Sequence, residues 1–210
     1  MPAKKYMEVQ PRPDHSLRIP RPDLSVKLGT PNACNQCHAD KSAQWAADKV
    51  ASWYGNKRDQ QVHYGEIIAA ARAGTPGAQQ ALATLAADMQ MPAIVRATAL
   101  DLLRTDATTG IDIRITATRD QDPEIRAAAA DSLESVEAGQ RISALTPLLR
   151  DRYRTVRTAA ARSLSSLPAD RMNIDQRRLF DAALTEYLST QNVSLDMPGA
   201  LLNLAVVYQN

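Results

Sequence analysis

Aromatic side chains are scarce in this chain: 4% of its 210 residues are Phe, Tyr or Trp, and Phe occurs once. That scarcity argues against a platform on which nucleotide bases stack, and against a β-sandwich core. An excess of charge of one sign is also lacking. The formal net charge is +2, and acidic and basic residues are interspersed. A nucleic-acid partner, which would call for a basic stripe, is therefore not expected. No run of 18 apolar residues occurs, so no segment of this sequence is expected to span a membrane. Cysteine is limited to Cys34 and Cys37, and histidine to His15, His38 and His63. What the chain has in plenty is Ala and Leu, a composition suited to closely packed helices. Its length allows one or two domains with a sizeable core.

The composition changes along the chain. Residues 1–31 hold six of the twelve prolines: Pro2, Pro11, Pro13, Pro20, Pro22 and Pro31. Proline lacks the amide donor and biases its predecessor away from the helix, so this arm is expected to be extended and irregular. From Asn32 the pattern turns helical. Ala43, Ala46, Ala47, Val50, Trp53 and Tyr54 predict a helix over about 41–54, ended by Gly55-Asn56. A second helix is predicted over about 60–73, carrying His63, Ile67 and Ile68, before the Gly74-Thr75-Pro76-Gly77 break. Residues 1–75 are taken as one segment, 76–170 as a repeat region, and 171–210 as a helical tail.

The repeat region shows itself in three blocks: VRATALDLL (95–103), IRAAAADSL (125–133) and VRTAAARSL (156–164). Each has a β-branched residue, Arg, a run of mostly small residues and a closing Leu. Asp120 and Asp151 each stand five positions ahead of a block, and Asp88 seven ahead of the first. A helix is predicted before each loop, in AQQALATLAAD, IDIRITATRD and RISALTPLLRD, although the middle one is rich in β-branched residues. A fixed period with two helices per unit is the signature of an α-solenoid. The fold expected is therefore all-α: an irregular Pro-rich arm followed by a solenoid of helix pairs. The loop Asp, the (V/I)R pair, the Ala-rich second helix and Pro147 in ALTPLLRD make these units resemble HEAT repeats, with shorter armadillo-like or PBS-type variants open. Arg96, Arg126 and Arg157 are expected to form a structural ladder with the loop aspartates. In the tail, PGALLNLAVVY resembles the first helix of a tetratricopeptide repeat. The chain stops within an apolar helical pattern and opens with no secretory h-region, so a longer parent is expected, with any export signal upstream of Met1.

The two cysteines and one histidine stand together as Cys34-Asn35-Gln36-Cys37-His38. C-x-x-C-H is the attachment signature of c-type haem. Two thiols at this spacing reach the two vinyl groups of a porphyrin and add to them as thioethers. The next residue then brings its imidazole to the iron. Cys34 and Cys37 are thus the candidate anchors, and His38 the proximal ligand, of a covalent haem c. A zinc site would need four ligands, and no second Cys pair is present. A thioredoxin-like redox pair would follow a strand, and no strand pattern precedes Cys34. A chance C-x-x-C-H with two buried thiols is the bland alternative. Trp45, Trp53 and Tyr54 follow closely and could pack on a porphyrin, although helix–helix burial also accounts for them. For the sixth ligand there are three candidates: His15 in the arm, His63 on the second helix, and Met7, whose thioether would raise the potential relative to a second imidazole.

The string DHSLRIPRPDLSVKLGTPNACNQCH, with the helix after it, resembles the last haem segment of multihaem c-type cytochromes fused to HEAT-like and tetratricopeptide repeats. In that family the residues matching Met1-Pro2 commonly follow an upstream C-x-x-C-H directly. The resemblance is strong over the first 55 residues and looser in the repeats. It implies covalent haem, electron transfer, an extracytoplasmic (bacterial periplasmic) location and other haems in the parent protein. The departure is that this chain holds a single attachment site. Two classes of function follow: an electron-transfer module that docks other haems or redox proteins, or a non-enzymatic protein-interaction scaffold in which the haem is vestigial or absent. An open haem site with nitrogen-oxide or peroxide chemistry is a third, less favoured. No nucleophile–base or paired-carboxylate constellation stands out, and the chain is not expected to be an enzyme.

Overall fold

The computed structural model describes residues 3–6 and 10–13 as backbone strands, together with residues 20–55, 57, 62–103, 106 and 108–209. The chain divides into two compact units, Met1–Ala69 and Ala70–Asn210.

In the first unit, β1 (Ala3–Tyr6) and β2 (Gln10–Pro13) form an antiparallel two-stranded ribbon, with Ala3 opposite Pro13 and Tyr6 opposite Gln10. The arm was expected to be irregular throughout. The ribbon departs from that expectation, because a two-stranded ribbon consists only of edges and an edge tolerates prolines that cannot donate. A second departure is α1 (Pro22–Leu28). Pro22 sits at the start of that helix, where a missing amide costs nothing, and Asp23 in the first turn receives the Arg21 guanidinium at 2.6 Å. Gly29 closes α1 at φ 69°, its N–H donating to the Ser25 carbonyl.

Next comes α2 (Cys34–Cys37), a single turn, followed by α3 (Ala43–Tyr54). The helix predicted over 41–54 therefore starts at Ala43, because Ser42 takes the cap position and its Oγ accepts the Trp45 N–H at 3.1 Å. α1 packs on α3, burying Pro22, Leu24 and Ser25 on one side and Ala46 on the other. The second helix, α4 (Tyr64–Arg72), is shorter than the 60–73 predicted. His63 lies ahead of it rather than on it. Its backbone N–H donates to Glu66 Oε1 at 3.2 Å, and Glu66 also receives Lys27 of α1.

The second unit is an α-solenoid. The pairs are α5 (Ala78–Ala87) with α6 (Ala93–Leu102), α7 (Ile111–Ala117) with α8 (Pro123–Ser132), and α9 (Ala138–Leu145) with α10 (Arg154–Leu164). Second helices stack in order, α6 on α8 and α8 on α10, and α11 (Ile174–Asn192) continues the stack on α10; α12 (Pro198–Tyr208) packs on α11. The three sequence blocks are the second helices, and their closing leucines Leu103, Leu133 and Leu164 are essentially inaccessible. Ala129, Ala130, Ala160 and Ala161 are buried beside them, as close helix approach requires. The β-branched IDIRITA is helical, so tertiary burial overrides its weak propensity. Gly110 precedes it at φ 63°; a side chain there would bring Cβ within 2.8 Å of Ala83 on α5. Pro147 ends α9 and turns its continuation into a 3-10 segment, Thr146–Arg150.

The arginine ladder is present, with a pairing that links successive repeats. Arg96 reaches Asp120 at 2.7 Å, Arg126 reaches Asp151 at 2.7 Å, and Arg157 reaches Glu186 on α11 at 2.7 Å. Each arginine also donates to the backbone of its own repeat: Ala86 O in the last turn of α5, and the loop carbonyls Asp120 O and Asp151 O, respectively. Asp88 accepts the Gln90 N–H at 2.9 Å, a local turn bond.

A second set of arginines lies in the first helices. Arg114 on α7 is fully inaccessible, and its two terminal nitrogens donate to the carbonyls of Leu103, Asp106, Thr109 and Ser132. Arg141 on α9 reaches the carbonyls of Glu134 and Ser163 and Ser166 Oγ. Both guanidiniums therefore satisfy orphan carbonyls where second helices end, which favours a cation there twice over. Burial lowers both guanidinium pKa values from the usual range.

Candidate functional site

The site begins with the Asn32–Asn35 pair. Asn32 Oδ1 accepts the Asn35 N–H at 3.1 Å, and Asn32 Nδ2 donates to Asn35 Oδ1 at 2.7 Å. This arrangement opens α2. Cys34 and Cys37, three apart on that turn, project from one face. His38 ends the turn at φ −95°, ψ 60°, its N–H held by the Cys34 carbonyl at 2.9 Å. The loop that follows is tied back, with the Lys41 N–H donating to the His38 carbonyl at 3.0 Å and Asn35 Nδ2 to the Lys41 carbonyl at 2.6 Å. Ser42 then caps α3, and Trp45 arrives beside His38 with ring centroids 4.9 Å apart and planes inclined at 54°.

The result is a concavity of about 220 Å³ lined by Cys34, Cys37, His38, Trp45, Lys49 and Trp53, among others. Both thiols are free; Cys34 is half-buried and Cys37 exposed. The His38 side chain is also exposed. Trp53 is 68% exposed although it lines the concavity, and it meets Tyr54 edge-on at 6.5 Å. Two free thiols and an exposed imidazole line one hollow with Trp45 and Trp53, which is the donor set a covalent haem would use, so the residue types present fit the group. Among the described residues no cluster of three or more His, Cys, Asp or Glu suits a metal ion held by protein ligands alone.

The candidate sixth ligands stand differently. His15 and Met7 lie outside the described residues. His63 does not line the concavity; its Nδ1 accepts the Gly65 N–H at 3.0 Å, and its ring lies 4.0 Å from that of Tyr64. Sequence reasoning missed Asn35 and Ser42. The Ser-x-x-Trp spacing ahead of an apolar run was the signal for the cap, whereas the bond from Asn35 to the Lys41 carbonyl appears only once the loop is folded.

The second unit has its own groove, about 1050 Å³, along the loops that join first to second helices. Met89, Ile113 and Tyr153 supply apolar surface, and Arg119 and Arg152 stand along it. Arg152 lies over the Tyr153 ring, 4.6 Å from its centroid.

Residues 89–165 match the family model for HEAT repeats, the stretch that carries the three blocks and both arginine sets. No curated protein and no solved structure matches the chain. The second unit is thus a HEAT-like helical-repeat scaffold, an architecture suited to protein interaction. Among the described residues no helix is long and apolar enough to cross a membrane.

Proposed function

We propose that the chain is an electron-transfer module carrying one covalent c-type haem, with its helical repeats serving to dock protein partners. The observation that carries this reading is the convergence of Cys34, Cys37 and His38 on a single hollow rimmed by Trp45 and Trp53. The thiols of Cys34 and Cys37 would each add across a vinyl C=C, sulfur bonding one carbon and the proton the other, so no atom leaves and no oxidant is consumed. His38 would bind the iron through its imidazole. When bound, the haem supplies a one-electron Fe(III)/Fe(II) couple. Trp45, Trp53 and Val50 would exclude water from part of the macrocycle, which is one way a protein tunes such a couple. His15 would be the first candidate for a second protein ligand to the iron, ahead of His63, which does not line the hollow.

On this reading the partners are other haems or redox proteins, and the location is extracytoplasmic, where this attachment takes place. The test is a pyridine haemochrome spectrum of chain exported through a host with haem-attachment machinery. The expected result is one covalent haem per chain, absent from Cys34→Ala/Cys37→Ala. A wild-type chain without covalent haem under those conditions overturns the proposal. Carbon monoxide added to the reduced protein checks the electron-transfer role against ligand chemistry: an iron that two protein ligands already hold would give no spectral shift.

A second reading, a protein-interaction scaffold with no working haem, is favoured by the HEAT match over residues 89–165 and by the groove in the second unit. Partner binding that survives the double cysteine variant unchanged would support it.

A further inference from the structure

Resting on the haem reading above, the geometry points to Trp45 as the residue that sets the plane of the His38 imidazole. The histidine ring is exposed and ends a four-residue turn, so its own backbone does little to fix the side-chain torsions. Indole is the group that meets it, at 4.9 Å between centroids with the planes inclined at 54°. That separation lies within the range over which aromatic rings attract one another, at an inclination between stacked and edge-to-face.

Trp45 can act as a stop because its own backbone is immobilised. It lies three residues beyond the Ser42 cap, and its N–H is the one that Ser42 Oγ accepts. Behind it, Ala46 is buried against α1. From the other side, Asn35 ties the loop from His38 to Lys41 by its bond to the Lys41 carbonyl. The imidazole is therefore held between a pinned turn and a pinned indole. For an imidazole bound to iron, the ring plane decides which iron d orbital it overlaps, and hence the electronic splitting of the low-spin ferric ion. Trp45 is a positioning residue in this scheme; it is not asked to touch the metal. Partners that orient a metal-bound histidine usually do so by hydrogen bonding to its second nitrogen. Here the orientation comes from ring packing.

The experiment compares wild type with Trp45→Leu and Trp45→Phe, each matured with haem, and each also prepared without it. In the haem-free wild type, the ring current of the indole should displace the His38 ring-proton resonances. Trp45→Leu should return them to the positions of a solvated histidine. In the matured protein, covalent haem is measured for each variant by pyridine haemochrome, and spectra are compared per mole of haem. The ferric electron paramagnetic resonance spectrum should shift and broaden in Trp45→Leu and stay close to wild type in Trp45→Phe. Undisplaced His38 resonances in the haem-free wild type overturn the assignment. So does a Trp45→Leu spectrum that superimposes on wild type once both are normalised to covalent haem. If Trp45→Leu does not fold, the haem-free wild type decides alone. A wild type that takes up no covalent haem but shows displaced His38 resonances would leave the contact standing and remove the haem reading, so the two failures are separable.

Discussion

The two units of this chain hold themselves together by different means. In Ala70–Asn210 a continuous core runs through Leu133, Leu145, Val156, Leu164 and Phe180, and two sets of arginines repeat with the helices. In the first unit the described residues bury little beyond Pro22, Leu24, Ser25 and Ala46, while Trp53 and Tyr54 are 68% and 73% exposed. What organises that unit is polar bonding, most of it local (Arg21 on Asp23, Asn32 on Asn35, Ser42 on Trp45), with Lys27 on Glu66 joining α1 to α4. Such bonds contribute about 1 kcal/mol each, and exposed ion pairs less. A unit built this way keeps an open hollow between well-placed donors, whereas a unit built on a core fills its interior. The contrast is between an open hollow and a closed core. It is also measurable, because both tryptophans, Trp45 and Trp53, belong to the first unit. Tryptophan fluorescence of the haem-free chain therefore follows the first unit, and far-UV circular dichroism follows mainly the second.

The largest expected effect tests whether the second unit depends on its buried arginines. Arg114→Ala removes the donor to four carbonyls in a fully inaccessible site. A loss of at least about 3 kcal/mol is expected, since buried acceptors left without a partner each cost about 1–3 kcal/mol. The urea midpoint by circular dichroism should fall steeply while the fluorescence midpoint stays put. A fall shared by both signals would break the comparison, because the units would then unfold as one.

The ladder between repeats comes next. Arg126 and Asp151 are about nine-tenths buried, and the bridge has two N–O contacts, 2.7 and 3.0 Å. Arg126→Met should cost about 3 kcal/mol, because it leaves a buried carboxylate uncompensated. Adding Asp151→Leu should restore part of that loss, as replacing both partners by apolar groups often does. If the double variant is no better than the single one, the pair is stabilised by more than its mutual charge. The dichroism midpoint reads both.

These two arginine sets mark how far the sequence could be read. Arg96, Arg126 and Arg157 were visible because each follows a β-branched residue at a fixed period, and the loop aspartates keep nearly the same spacing. The periodicity could not say that Arg96 takes Asp120 rather than Asp88, because that choice depends on the offset between stacked repeats. Arg114 and Arg141 left no comparable trace: IDIRITA and AGQRISAL share little beyond an arginine four residues after the cap position. Their role, bonding carbonyls at helix ends far away in sequence, exists only after stacking. In the first unit the Cys34, Cys37 and His38 cluster was legible because it is contiguous in sequence, and so was α3 from its apolar period. The α1 helix and the β1–β2 ribbon were hidden by prolines, whose local preference for irregular backbone gave way at a helix start and at strand edges.

A smaller effect concerns acid. The Asp106 carboxylate is held down to about 2 from an ordinary 3.8, chiefly by backbone N–H bonds from Thr109 and Thr108. Its folded-state value is depressed, so its contribution is fully present above 3.8 and disappears as pH falls toward about 2. The second unit should thus lose dichroism-monitored stability across that window, and Asp106→Asn should flatten the loss. An unchanged slope in the variant would mean that other carboxylates dominate the acid response.

The smallest effect lies in the first unit, where the comparison is sharpest. Ser42→Ala removes one capping bond, to the Trp45 N–H, and should cost about 1 kcal/mol. In the second unit such a change would be a small fraction of the total. Here it removes one of the few contacts that fix the start of α3, so the fluorescence midpoint of the haem-free chain should move visibly while the dichroism midpoint does not. Ser42→Asp, which keeps an acceptor and places a negative charge at the helix start, should recover the midpoint. If Ser42→Ala leaves the fluorescence transition in place, α3 is anchored through the buried Ala46 face alone, and local polar bonding is not what holds the hollow open.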